Sequence, residues 1–465
     1  MKTRIEHDLL GEKEVPADAY YGIQTLRGIE NFQNISGITI GDYPNYVKAL
    51  AMVKWAAAKA NQELEILPDD IANAITRACE EIIGGKLHDQ FPVDLIQGGA
   101  GTSTNMNINE VVANRALELM GHQKGEYQYC HPNNHVNMSQ STNDAYPTSF
   151  KLAFIFMNEE LVADLKLLIQ AFRAKGEEFK EVLKMGRTQL QDAVPMTMGQ
   201  EFEAFAANLE EEVDRLNQMA KLFLEVNMGA TAIGTGINSE PEYSAKCIKN
   251  LRIISGEEFV LASNLIEATP DAGSSVMYSS ALKRLAVKLS KICNDLRLLS
   301  SGPRCGLPPM QPGSSIMPGK VNPVIPEVVN QICYRIIGND LTVTFAAEAG
   351  QLQLNVMEPV MVHAIFSSIK MLQKGMDRLR ILCVEGITAN TQHCREMVLN
   401  SIGIVTALNP TLGYENSSRI AKRALKENRS VYDLVLEEGL LTKDELDQLL
   451  KPESMIKPHK FYKKK

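Results

Sequence analysis

The amino-acid sequence predicts a mainly α-helical protein built around a bundle of long helices. Apolar residues recur at alternating steps of three and four, which places them on one face of a helix. The clearest run lies between Val276 and Ser300: Leu282, Leu285, Leu289, Ile292, Leu296 and Leu299. Such a face must be buried against other helices, and near-parallel packing of several of them gives a bundle.

Two further stretches carry the same spacing and strengthen this prediction. One comprises Leu161, Leu165, Leu168, Phe172 and Phe179, and the other comprises Phe202, Phe205, Leu209, Val213, Leu216, Ala220 and Phe223. Some of these apolar faces have no evident partner within one chain, so we expect subunits to pool their helices.

We predict three domains along the chain. Residues 1–145 form a mixed, mostly helical domain, residues 146–393 the long-helix bundle, and residues 394–465 a small helical domain. In the first domain we predict helices over Tyr46–Leu64 and Pro68–Ile83, and a third that begins within Gly98–Asn105. In the last domain, Thr442 is a credible N-cap.

Composition and charge exclude several classes of function. The 465 residues carry a formal net charge of −8, which argues against nucleic-acid binding because a phosphate backbone requires a basic face. No apolar run reaches the ~18 residues needed to cross a bilayer, and the first residues lack the apolar core of a signal peptide. We interpret the basic segment 457–465 as a solvated tail.

Cysteine and histidine usage favours a cytoplasmic protein without an obligatory metal. The eight cysteines are widely spaced and form no C-x-x-C pair, which suits reduced thiols. His131 and His135 are four residues apart, but Pro132 and two asparagines separate them, so we expect no metal site there.

The most informative segment is a loop, Gly313–Pro323, with the sequence GSSIMPGKVNP. Its glycines and prolines indicate a turned loop, and its side chains include two hydroxyls, a cation and an amide, which together can bind a carboxylate. It differs from a nucleotide-binding phosphate loop because five residues separate the glycines and Val321, not a hydroxyl residue, follows Lys320.

Three other polar clusters extend this chemistry: Thr102–Asn105, Ser139–Asp144 and Arg187–Asp192. We predict that all three lie at ends of helical segments, where N–H groups attract anions. Neutral donors collected in this way can surround a small dicarboxylate. Capping of the helix alone would also account for Thr102–Asn105, and a solvated loop would account for Ser139–Asp144.

The loop resembles the signature G-S-S-x-M-P-x-K-x-N-P of the aspartase/fumarase superfamily. The resemblance extends to Gly98–Asn109, Ser139–Pro147, Gly186–Gln200 and Asn227–Gly236, and so covers most of the chain. It implies a three-domain aspartase/fumarase-like fold, with the long central helix bundle shared in a homotetramer and each active site built from three subunits.

The resemblance also implies roles for individual residues. Ser314 would be the catalytic base. Substrate would be bound by Thr102, Ser141, Thr142, Asn143, Thr188, Gln189, Ser315, Lys320 and Asn322. Met317 would hold the loop closed through apolar packing. Glu327 would not touch the substrate but would contact residues that do. No metal or other cofactor is obligatory, and activation by Mg²⁺ is left open.

Two positions bear on which reaction is catalysed. Fumarases have histidine where this chain has Gln189, and S-S-N-D where it has Ser141–Asp144. An amide cannot act as a base near neutrality, so hydration chemistry is disfavoured. The pattern favours the ammonia-lyase branch that converts L-aspartate to fumarate and ammonia. A fumarase, another ammonia-lyase or a non-enzymatic structural relative are the alternatives.

One departure from the family pattern lies just before the loop. Residues 305–312 read CGLPPMQP, several residues fewer than the resemblance leads us to expect. A shorter leading arm would affect closure of the loop over substrate.

Overall fold

A computed structural model of the protein describes residues 2–456 and is mainly helical, as predicted. The predicted basic tail, 457–465, lies outside the described residues. The helices within that range are α1 (Ile23–Phe32), α2 (Pro44–Glu63), α3 (Asp69–Ile83), α4 (Thr102–Leu119), α5 (Thr142–Glu178), α6 (Met198–Ala220), α7 (Tyr243–Ser255), α8 (Leu265–Ala268), α9 (Gly273–Ser300), α10 (Val324–Glu348), α11 (Glu358–Leu382), α12 (Thr391–Asn400), α13 (Val405–Leu412), α14 (Tyr414–Glu427), α15 (Val431–Glu437), α16 (Lys443–Leu449) and α17 (Pro452–Met455).

Short strands pair two by two. They are β1 (Thr3–Asp8) with β2 (Gly11–Pro16), β3 (Leu183–Thr188) with β4 (Gln191–Thr197), β5 (Glu225–Val226) with β6 (Val260–Leu261), and β7 (Cys305–Gly306) with β8 (Thr388–Ala389). The β5–β6 pair is parallel and the other three are antiparallel.

The chain divides into two compact units, each assembled from three separate stretches of sequence. Unit 1 comprises the described residues up to Val162, with Asp214–Arg284 and Tyr334–Leu372. Unit 2 comprises Ala163–Val213, Leu285–Cys333 and the described residues from Gln373 onwards. The three-domain division stays a prediction.

The apolar periodicity identified the long helices, although Phe179 and Phe223 lie just past the ends of α5 and α6. All six members of the strongest seam lie on α9 and are buried. In unit 1, Phe154 contacts the rings of Phe223, Tyr278 and Phe366, with centroids 5.0–6.3 Å apart. Packing of large aromatic side chains at these distances contributes to the apolar burial that stabilises this unit.

The C-terminal helices have a core of their own within unit 2. Leu408, Ile420, Leu434 and Leu446 are fully buried in it, together with Met185 of β3. The predicted N-cap at Thr442 is confirmed, because its hydroxyl accepts from the Glu445 N–H while the Glu445 carboxylate accepts from the Thr442 N–H.

Residues 2–456 contain neither a candidate membrane span nor a candidate metal cluster. No helix in that range is both long and apolar enough to cross a membrane. No group of three or more histidine, cysteine or acidic side chains there is placed to hold a metal ion. All eight cysteines are buried as free thiols.

Candidate active site

The first group of predicted residues lies at the N-termini of two helices in unit 1. Thr102 is the first residue of α4, and its hydroxyl donates to the Gly99 carbonyl at 2.7 Å. Gly101 precedes it with φ +87°, and a Cβ there would lie 2.5 Å from the Tyr146 ring on α5. Only glycine therefore allows the α4 N-terminus to approach α5 this closely.

Ser141, Thr142 and Asn143 lie at the start of α5, and each is half-buried. The Asn143 side chain donates to the Ala232 carbonyl at 2.7 Å, and its main-chain carbonyl accepts from Asn227 at 3.0 Å. The Thr142 hydroxyl oxygen accepts from the Asn105 amide of α4 at 3.2 Å. The start of α4 therefore contacts the start of α5, through Asn105 with Thr142 and through Gly101 with Tyr146. That Thr102 and residues 141–143 bind substrate together stays a prediction.

Asp144 fixes the start of α5 from behind. Its carboxylate is fully buried and accepts three main-chain N–H groups, from Ser141 (3.0 Å), Gly229 (3.1 Å) and Thr231 (2.9 Å). Burial nevertheless raises the pKa of Asp144 to about 6 because desolvation disfavours the charged form. Its role is to join the 227–231 segment to the helix that carries Thr142.

The second group lies on a β-hairpin in unit 2, where a helix end was predicted. That prediction was wrong for Arg187–Asp192: β3 and β4 pair antiparallel with Thr188 opposite Gln191, and Gln189 and Leu190 form a two-residue turn. Both turn residues have positive φ, 52° and 62°, as a type I′ turn requires. Glycine and asparagine normally occupy such positions, so this turn holds Gln189 in a strained, exposed position.

The third group is the Gly313–Pro323 loop, also in unit 2. The two ends of the loop meet at a neck formed by Gly313, Lys320 and Asn322. Two hydrogen bonds close this neck, from the Gly313 N–H to the Lys320 carbonyl (2.7 Å) and from the Asn322 side-chain amide to the Gly313 carbonyl (2.8 Å). A bridge between Pro312 and Val321 continues this pairing outward. Asn322 therefore holds the loop together in addition to any contact with substrate.

Within the loop, the Ser314 hydroxyl oxygen accepts two main-chain N–H groups, from Met317 at 3.0 Å and from Ile316 at 3.2 Å. Ser314 is half-buried, whereas Ser315 and Lys320 are exposed. Two amide donors aimed at one hydroxyl oxygen stabilise negative charge on that oxygen. This arrangement distinguishes Ser314 from Ser315.

Met317 and Glu327 occupy different surroundings. Met317 is 48% exposed and lines a shallow depression with Ser314 and Lys320, so its packing role stays a prediction. Glu327, in the first turn of α10, lines a larger cavity together with Asn322 and Arg297. No hydrogen bond joins the loop to the hairpin turn in the described part of unit 2.

The short segment before the loop is anchored at both ends. Cys305 and Gly306 form β7 and pair with Thr388–Ala389, while Pro312 pairs with Val321. Residues 307–311 therefore connect two fixed pairings, so this short segment has little freedom to change its conformation.

Comparison with known proteins places the chain in a family. A family model described as lyase matches residues 11–338, and one described as the C-terminus of fumarase C matches residues 404–457. The chain is 63% identical to an aspartate ammonia-lyase of Pseudomonas aeruginosa over 462 residues, covering 98% of this chain and 97% of the relative. It is 58% identical to an aspartate ammonia-lyase of Escherichia coli, with 98% and 96% covered.

The chain belongs to the aspartase/fumarase superfamily of lyases. Among solved structures, it superposes on a fumarate lyase:delta crystallin of Brucella melitensis bound to cobalt, with a TM-score of 0.95 and 55% identity over 98% of this chain and 100% of the other. A class II fumarase of Schistosoma mansoni gives 0.91 at 34% identity, with 99% and 100% covered. The predicted superfamily and fold are confirmed, and the chain is a lyase closer in sequence to these ammonia-lyases than to this fumarase.

Proposed function

We propose that this lyase converts L-aspartate to fumarate and ammonia, with Ser314 as the base that takes the proton from C3. The observation that carries the proposal is the pair of main-chain N–H groups, from Ile316 and Met317, that point at the Ser314 oxygen. A serine hydroxyl is a weak acid, and it acts as a base only where its anion is stabilised. Two fixed amide donors supply that stabilisation, and the Lys320 cation of the same loop would add to it.

The reaction proceeds in two steps. The Ser314 alkoxide takes the C3 proton, and the electron pair left on C3 moves into the neighbouring carboxylate, giving an aci-carboxylate that carries two negative charges. That electron pair then returns to form the C2–C3 double bond while the C2–N bond breaks and ammonia leaves. Each well-aimed donor to the intermediate contributes roughly 3–4 kcal/mol.

Several neutral donors are available for the doubly charged intermediate. Ser315 and main-chain N–H groups of the loop would supply part of these hydrogen bonds. The other donors would be the hydroxyls of Thr102, Ser141, Thr142 and Thr188. Lys320 and Asn322 would bind the other carboxylate, with Lys320 as a point charge. Asn143 and Gln189 would face the amino group, where neutral oxygens accept hydrogen bonds without retaining ammonia.

The proposed assembly is a homotetramer with sites shared between subunits. An unpartnered apolar face on α10 supports it: Tyr334, Leu341 and Phe345 are 56–65% exposed and lie on one side of the helix. No metal or other cofactor is needed for the chemistry proposed. Mixing subunits inactivated by Thr188→Val with subunits inactivated by Ser314→Ala tests site sharing. Activity can recover only if one subunit supplies an intact Thr188 and another supplies an intact Ser314 to the same site.

The activity itself is tested by following the ultraviolet absorbance of fumarate. The proposal predicts growth of that absorbance with L-aspartate and none with L-malate. Formation of fumarate from L-malate alone would instead identify a fumarase.

A further inference from the structure

A buried lysine lies behind the Thr142 hydroxyl. Lys54 of α2 is 1% exposed, and its ammonium donates to three side-chain amide oxygens: Asn105 Oδ1 at 2.7 Å, Gln140 Oε1 at 2.8 Å and Asn137 Oδ1 at 3.2 Å. All three acceptors are neutral. A charge removed from water is costly, and amide oxygens offset that cost only in part.

The ammonium fixes the orientation of the Asn105 amide. A lysine ammonium donates only, so the Asn105 atom that it contacts must be the oxygen. The NH₂ of the same amide consequently points the other way, and it donates to Thr142 Oγ1 at 3.2 Å and to Asn137 Oδ1 at 3.1 Å.

The same bond determines what Thr142 can do. Because Asn105 donates to the Thr142 oxygen, the Thr142 hydroxyl cannot donate back to Asn105, and its proton is left for another acceptor. In the part of the chain that the structure describes, this hydroxyl donates to no protein acceptor. It lies half-buried at the start of α5, where the proposed function places substrate.

We infer that Lys54 is a positioning residue that makes Thr142 a hydrogen-bond donor to the substrate, acting through the Asn105 amide. This inference rests on the proposed function, because it requires a dicarboxylate at Thr142. Without the ammonium, the Asn105 amide is free to rotate by 180° and accept the Thr142 proton, which removes that donor from the site.

Only the charged form of Lys54 is restricted to donating, so the fixed orientation of Asn105 belongs to that form. Burial lowers the pKa of Lys54 to about 7, against the opposing influence of the Asp144 carboxylate. Its other titratable neighbours, Cys79 and Cys247, are buried thiols whose pKa values burial raises, so they are neutral. Asp144 is thus the one charged group that acts on Lys54 among its titratable neighbours in the described structure.

Two variants separate this inference from a purely structural role. Lys54→Met shortens the unbranched side chain by one atom and removes every donor. Asn105→Asp keeps an acceptor for the ammonium, and so retains the buried lysine, but it cannot donate to Thr142. Lys59→Met on the same helix is the matched control, since the Lys59 ammonium bonds to Gln62 and not to this network.

The test is a double-mutant cycle on kcat for L-aspartate, with Thr142→Val as the reference. We expect each of Thr142→Val, Lys54→Met and Asn105→Asp to lower kcat by about 10²-fold, the usual cost of one oxyanion donor. Combining Thr142→Val with either of the others is expected to add less than about threefold. Asn105→Asp is expected to keep the melting temperature of the parent, and Lys59→Met its kcat.

Multiplicative losses in the cycle, or an Asn105→Asp variant with parental kcat, would overturn the inference. If Lys54→Met does not fold, the kcat of Asn105→Asp, alone and combined with Thr142→Val, decides whether the inference holds. An unaltered enzyme that leaves L-aspartate unchanged would overturn the proposed function and this inference together. An active enzyme with additive effects would overturn the inference only.

Discussion

The Ser314 hydroxyl oxygen lies 3.0 Å from the main-chain nitrogen of Met317, whose N–H donates to it. With the Ile316 N–H, this contact gives the loop a small oxyanion-binding site centred on its own serine. The proposed base and the two main-chain N–H groups that point at it therefore lie within four consecutive residues.

Replacing the amide donor tests this relationship. Met317→Pro removes the N–H that points at Ser314, whereas Met317→Leu retains it. We expect Met317→Pro to lower kcat by about 10²–10³-fold and to move the acid limb of the pH–rate profile to higher pH, because the serine anion loses a donor. Met317→Leu is expected to stay within about threefold. Equal kcat for the two variants would show that the donor has no part in catalysis.

The close contacts at the neck of the loop also predict an effect on catalysis. A Cβ at Gly313 would lie 2.8 Å from the Lys320 carbonyl oxygen and 3.0 Å from the Asn322 amide carbon, so Gly313→Ala must push the two sides apart. We expect kcat for L-aspartate to fall at least about tenfold. The melting temperature should be unchanged because the loop contributes little to the core. A loss of stability without loss of kcat would contradict this account of the neck.

The hairpin turn carries strain that can be released. Leu190 is 64% exposed and has φ 62°, a conformation that costs leucine roughly 1 kcal/mol relative to glycine. Leu190→Gly is expected to raise the stability of the hairpin by about that amount, and Leu190→Val to lower it. Hydrogen exchange of the β3 and β4 amides measures both. The opposite order would mean that the Leu190 side chain makes stabilising contacts that outweigh the strain.

A buried carboxyl in unit 1 predicts a pH-dependent stability. Glu358 is 4% exposed, and burial raises its pKa from 4.5 to about 8, opposed by Lys151. Since the folded-state pKa is the higher one, Glu358 contributes stability that is fully present below pH 4.5 and lost as pH rises through about 8. Glu358→Gln should therefore flatten the decline of the unfolding free energy between these limits, by up to about 1.4 kcal/mol per pH unit.

Denaturant unfolding at several pH values between 5 and 8 checks this. Glu415→Gln is the matched control because Glu415 is exposed on α14. If both variants kept the slope of the parent enzyme, Glu358 would be charged throughout this range.

The long helices could be predicted because their signal is local. The 3/4 spacing on α9 requires only that one face be apolar, and that face is buried in the structure. The β3–β4 hairpin could not be predicted in the same way. Its turn residues, Gln189 and Leu190, are not those that favour a type I′ turn, so nothing in the local residue types indicates it.

The candidate site was predictable in part. The signature loop made Ser314 and Lys320 candidates from sequence alone. The bond from Asn322 to the Gly313 carbonyl depends on a loop conformation that residue types do not reveal. Lys54 was missed, although one signal was available: it is a single charge within the apolar run Ala51–Ala58 of a predicted helix. A lone charge on a buried helical face indicates a polar network, and here that network leads to Thr142.

The central claim is that Ser314 removes the C3 proton of L-aspartate. The most direct measurement is the rate of fumarate formation from L-aspartate by the parent enzyme, Ser314→Ala and Ser315→Ala, with the fold of each variant verified by circular dichroism. We expect a loss of about 10³-fold or more for Ser314→Ala and a much smaller one for Ser315→Ala. A folded Ser314→Ala variant that matched the turnover of the parent would contradict it.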